Sequence, residues 1–93
     1  MPSTTPPNRW LVYILRCHDG SLYTGITNNL TKRLKAHSAG KASRYTRSRL
    51  PVRLVHTEPQ WSKSAALKRE AAIKKLRRVA KERLMNEGRK KDS

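Results

Sequence analysis

The chain has no phenylalanine, one cysteine and only six acidic residues among its 93. Each shortage excludes something. A lone cysteine, Cys17, rules out an internal disulfide and a cysteine-rich zinc site, and it is compatible with a reducing cytoplasm. The longest apolar stretch, Trp10 to Leu15, is far too short to span a bilayer. The N-terminal Pro2–Asn8 is polar and proline-rich, unlike a signal peptide. Hydrophobic residues make up only 35% of the chain, so one domain with a modest core is expected. The expected division is a flexible arm over 1–9, a single domain over 10–87 and a charged tail over 88–93.

What the chain has in excess is positive charge. Lys and Arg number 22 against 6 Asp and Glu, a formal net charge of +16. That balance implies a polyanionic partner, nucleic acid ahead of an anionic membrane surface. A basic protein that grips phosphates without chemistry would satisfy the charge equally well. The C-terminal helical region has no aromatic anchor, which argues against the membrane.

Trp10 to Cys17 is mostly apolar on both alternating faces, the pattern of a central strand covered on both sides. His18-Asp19-Gly20 signals a turn and Ser21 to Ile26 the return strand. Two registers are open. A two-residue Asp19-Gly20 turn pairs His18 with Ser21 and puts Tyr13 and Tyr23 on opposite faces. A three-residue loop pairs Cys17 with Ser21 and places Gly20 at a left-handed bulge position. Tyr13 then lies opposite Gly25, and both tyrosines share one face. The second register is favoured, with Gly25 leaving an open patch over Tyr13.

Asn28 or Asn29 caps a helix running to about Ala39, where Gly40 stops it. Leu30 and Leu34 mark its buried side. Residues 41–51 read as a basic loop carrying Lys41, Arg44, Tyr45, Arg47 and Arg49. Val52 to Thr57 reads as a third strand bracketed by Pro51 and Pro59. Ser62 or Ser64 opens a helical region to about Asn86, with Ala66, Ile73, Leu76, Ala80 and Leu84 as its stripe and a possible break near Arg77.

Several residues have the chemistry for phosphate. Arg33 and His37, four apart, share a helix face at the rim of the core. Glu70 borders the apolar stripe among basic neighbours. It is either an ordinary ion pair with Lys74 or a lone carboxylate able to hold a hydrated Mg²⁺. His18 and His56 have no evident partner, Asp19 serves the turn, and Cys17 is packing.

Val12-Tyr13, Leu22-Tyr23-Thr24-Gly25, Asn29-Leu30-x-x-Arg33-Leu34-x-x-His37 and Arg69-Glu70, in that order, resemble the GIY-YIG nuclease domain. The run Gly40 to Arg47 and Ala66-Leu67-x-x-Glu70 are similar to its small standalone bacterial members. The resemblance spans Trp10 to Leu84. It implies an α+β fold, a three-stranded antiparallel sheet flanked by helices. It also implies phosphodiester cleavage with a single divalent metal, Mg²⁺ or Mn²⁺. By position, Tyr13 and Tyr23 are the motif tyrosines, Arg33 meets the scissile phosphate, His37 matches a histidine of some branches, and Glu70 binds metal. Neighbouring cations are expected to lower the pKa of Tyr13, making it the base, with Tyr23 orienting water or phosphate. His37 takes a proton-transfer or phosphate-contact role. The first glycine of the name motif is replaced by Leu11, and Asn86 is not assigned. The implied substrate is DNA, branched or nicked, with RNA possible, gripped through its backbone by the loop at 41–49.

Overall fold

The structure is a computed structural model that describes residues 9–90, with side chains to Asn86. Residues 1–8 and 91–93, which hold most of the expected arm and half of the expected tail, lie outside the described residues. The elements run β1 (Trp10–Arg16), β2 (Leu22–Thr27), α1 (Leu30–Ser38), α2 (Arg44–Arg47), β3 (Arg53–Gln60), α3 (Lys63–Lys74) and α4 (Arg78–Lys90). The sheet has three strands in the order β2-β1-β3, and β1 is antiparallel to both neighbours. The fold is therefore α+β, with a central strand covered on both faces.

The two faces of β1 have different partners. Val12 and Ile14 pack with Ala66 and Ile73 of α3 and Met85 of α4, forming the apolar core. Tyr13, Leu15 and Cys17 are buried too, and Tyr13 meets His37 of α1. One strand thus feeds an apolar layer and, through its alternate residues, a polar one.

The β1–β2 connection is the three-residue loop. Cys17 N–H donates to Ser21 O at 2.8 Å and Gly20 N–H to Cys17 O at 2.9 Å. Gly20 takes φ +86°, a conformation costly for any side chain. Asp19 Oδ1 accepts from the Ser21 amide at 3.0 Å and hydroxyl at 2.6 Å. The register sets Tyr13 opposite Gly25 and Leu15 opposite Tyr23.

Asn29 caps α1 by accepting from Lys32 N–H at 3.1 Å. At the other end Gly40, at φ +75°, closes the helix. Lys41 N–H donates to Ala36 O at 2.8 Å and Gly40 N–H to His37 O at 3.0 Å. These are the paired bonds of a glycine-closed helix. Leu30 and Leu34 are only partly covered; the residue α1 buries is His37.

Three boundaries differ from expectation. The basic loop contains a helical turn, α2, capped by Ser43, whose hydroxyl accepts from Tyr45 N–H at 3.1 Å. β3 runs through Pro59 to Gln60 rather than stopping before it. It is an edge strand, where a missing N–H costs no ladder bond. The C-terminal helical region parts into α3 and α4 next to Arg77, where a break was expected, but α4 runs on past Asn86 instead of ending there. Against β1, β3 slips between Ile14 and Leu15, leaving Val55 as the extra residue of a bulge.

A forked ion pair ties α3 to β3. Arg69 Nε and Nη2 donate to Glu58 Oε1 and Oε2 at 2.6 and 3.0 Å, and His56 Nε2 lies 2.8 Å from Glu58 Oε2. The Arg69 fork, ahead of the desolvation that opposes it, holds the Glu58 carboxyl below its usual range. The partner His56 lacked in sequence is therefore Glu58.

Candidate active site

The site grows from one close approach. A side chain at Gly25 would put its Cβ 2.6 Å from Tyr13 Oη and 2.8 Å from Cζ. The space above Gly25 is not an open patch, as expected from the register; the Tyr13 ring fills it. Glycine is required there because the phenol lies directly on the β2 backbone.

That placement delivers Tyr13 Oη to His37 Nε2 at 2.8 Å. The other ring nitrogen, Nδ1, is 2.9 Å from Thr46 Oγ1, and the Thr46 hydroxyl donates to Ser43 O at 3.4 Å. With that proton committed, Nδ1–H donates to Thr46 and Nε2 accepts from the Tyr13 hydroxyl. The result is a linear chain Tyr13–His37–Thr46–Ser43. His37 and Thr46 are both fully buried, so His37 lies inside the core rather than at its rim.

The protein's three tyrosines converge here. The Tyr13 and Tyr23 rings are 6.4 Å apart, and Tyr23 meets His37 edge-on at 5.3 Å. Tyr45 of α2 stacks on Tyr23 at 6.1 Å and is the exposed end of the cluster. The tyrosines share one face, as the three-residue loop requires.

Burial governs the titration of this chain of groups. Desolvation first, then the neighbouring Tyr23, pushes the Tyr13 phenol well above its ordinary value; the Arg33 charge opposes this and loses. The expectation that surrounding cations lower it is thereby reversed. Desolvation and then Arg33 push His37 below its ordinary value. Near neutral pH the pair is phenol and neutral imidazole.

Arg33 and Glu70 are near enough for their charges to act on Tyr13. Arg33 also lines a crevice of about 300 Å³ with Thr27, Asn28, Asn29, Lys32 and Ala36. Glu70 is mostly covered, its side chain 18% exposed, and Lys74 Nζ lies 3.5 Å from its Oε2. Among the described residues no three His, Cys, Asp or Glu side chains are grouped to hold a metal. The available donor is one carboxylate. That suits a hard cation that keeps several waters and shares a substrate phosphate, as Mg²⁺ does. It does not suit a metal needing a full cage of nitrogen or sulfur.

Of the basic loop, Lys41, Arg44 and Arg47 are exposed. Arg49 has internal work: its guanidinium lies 3.9 Å from the Tyr45 ring and donates to Asp19 Oδ2 at 3.1 Å and Tyr45 O at 2.9 Å. It fastens the loop to the β1–β2 turn. Thr46 is the residue sequence reasoning missed. Its signal was faint, a hydroxyl among arginines in the run shared with the small GIY-YIG members. Asn86 lies apart, beside Arg16 and Arg53.

Residues 9–83 match the GIY-YIG catalytic domain. The chain belongs to this family of nucleases, for which nucleic acid is the substrate. Within it, the relatives are UPF0213 proteins. One from Natronomonas pharaonis is 55% identical over 74 residues, 80% of this chain and 87% of its own length. One from Bacillus licheniformis is 49% identical over 83 residues, 89% of this chain and 86% of its own. The solution NMR structure of a UPF0213 protein from Bacillus halodurans aligns with a TM-score of 0.55 at 46% identity, covering 84% of this chain and 83% of that one.

Proposed function

We propose that the chain is a metal-dependent endonuclease that hydrolyses DNA phosphodiesters, choosing its substrate by shape rather than sequence. The observation that carries this reading is the convergence of Tyr13, Tyr23 and His37 with the charges of Arg33 and Glu70. These five groups come from four separate elements, β1, β2, α1 and α3, in a chain whose aromatics are scarce.

Each residue has a task. Arg33 holds a non-bridging phosphate oxygen through its planar fork. Tyr23, at the open side of the cluster, orients the attacking water. Tyr13 is too strongly held as a phenol to be a free base. It instead relays: the water passes a proton to Tyr13 Oη as Tyr13 passes its own to His37 Nε2. The water oxygen bonds to phosphorus and the bond to the leaving oxygen breaks. Neutral His37 is the acceptor, and Thr46 fixes its tautomer. Mg²⁺ or Mn²⁺ on Glu70 would supply charge stabilisation at the phosphate and leaving oxygen. Lys41, Arg44 and Arg47 face outward to hold the backbone.

The Lys74–Glu70 contact favours a second reading, in which the carboxylate is only a helix ion pair and the protein binds DNA or RNA without cutting. Nicking of supercoiled plasmid in Mg²⁺ or Mn²⁺ separates the two. Cleavage should vanish in Glu70→Ala and fall at least ~100-fold in Arg33→Ala, in line with loss of one transition-state contact. Binding without cleavage across both metals and branched substrates would establish the second reading.

A further inference from the structure

The two tryptophans have different surroundings. Trp10 packs against the core. Trp61, in the link between β3 and α3, is 85% exposed. A single exposed hydrophobic residue is ordinary, so exposure alone carries nothing. Its neighbours distinguish it. The Arg9 guanidinium lies 4.5 Å from the Trp61 ring centroid, and Lys63 Nζ lies 5.5 Å from that of Trp10. Neither cation joins an ion pair among the described residues. A broad open π-face beside two cations is matched to a nucleobase and its phosphate.

The register places this corner relative to the site. Trp10 pairs with Gln60, and Leu11 with Thr27. The links that follow β2 and β3 therefore stand at the same end of the sheet, on either side of β1. The first carries the Arg33 crevice and the second carries Trp61. Two strand spacings of about 4.8 Å separate them by on the order of 10 Å.

We propose that Trp61, backed by Arg9, is a base-stacking platform for an unpaired nucleobase of the strand whose phosphate is held at Arg33. The position of that strand rests on the nuclease reading; the stacking does not require cleavage. A paired base keeps its faces against its neighbours, so the platform favours substrates with a flap, gap or frayed end beside the scissile phosphate.

Tryptophan emission of the full chain, titrated in EDTA with oligo-dT and with a blunt duplex, tests it. Oligo-dT should quench saturably, and Trp10→Phe should retain the quench. Trp61→Ala should lose it and bind oligo-dT about tenfold or more weakly, with duplex affinity unchanged within about twofold. Quenching that survives Trp61→Ala, unchanged oligo-dT affinity, or equal weakening for both DNAs would overturn the proposal. Because the titration contains no metal, a protein that does not cut can still pass it, and a protein that cuts can still fail it.

Discussion

Tyr13 and His37 share a hydrogen bond, yet burial moves their titrations in opposite directions. For stability the signs follow from linkage. The raised phenol pKa contributes stability that is complete below the unfolded value of about 10. It is lost as pH rises from there toward the folded value. The lowered imidazole pKa makes stability fall as pH drops below about 6.5. Tyr13→Phe should therefore flatten the alkaline limb of a urea-denaturation series while leaving the slope below neutrality. An unchanged alkaline limb would place the phenol in solvent. Thr46→Val tests the far end of the chain. It leaves Nδ1–H buried and unpartnered, so it should cost about 1–3 kcal/mol, measured by urea midpoint. Thr46→Ser should restore most of that.

The hairpin, at the scale of elements, is where sequence was most informative. Gly20 after Asp19 marked a turn but left two registers open; the favoured three-residue loop is the one that forms, and that register decides that the tyrosines meet. The Gly40 stop was legible, and the N-cap was narrowed to Asn28 or Asn29, of which Asn29 caps, since each has a local chemical reason. Non-local facts were not legible. His37 reads as a rim residue on a helical wheel, and it is buried by tertiary neighbours, Tyr13 and Tyr23 of the hairpin and Thr46 of α2. Thr46 offered only a faint signal, one hydroxyl in a basic loop. Desolvation of Tyr13 depends on what covers it, which spacing along the chain does not encode. Gly25 was noticed for the right reason and given the wrong occupant. Gly25→Ala should force Tyr13 Oη away from His37, at about 1–3 kcal/mol of overpacking cost. Thermal denaturation would register the loss; wild-type stability would mean that the ring tilts aside freely.

Over the whole molecule, the scarce acids are all occupied where they are described. Asp19 pairs with Arg49, Glu58 with Arg69, Glu70 with Lys74, and Glu82 with Arg16 and Arg78. These contacts join the turn to the basic loop, β3 to α3, and β1 to α4, so negative charge here is largely a fastening device. The surplus cations are left for a polyanion. Removing Arg44 and Arg47 together should lower the slope of log affinity against log salt for duplex DNA by about two. An unchanged slope would put the DNA on another face.

The gathering of every tyrosine into one cluster also makes the protein its own reporter. With no phenylalanine and no tyrosine elsewhere in the chain, fluorotyrosine incorporated uniformly gives three resonances, all from the candidate site. Phosphate, metal or DNA reaching Arg33 or Glu70 would be visible in those signals without an attached label.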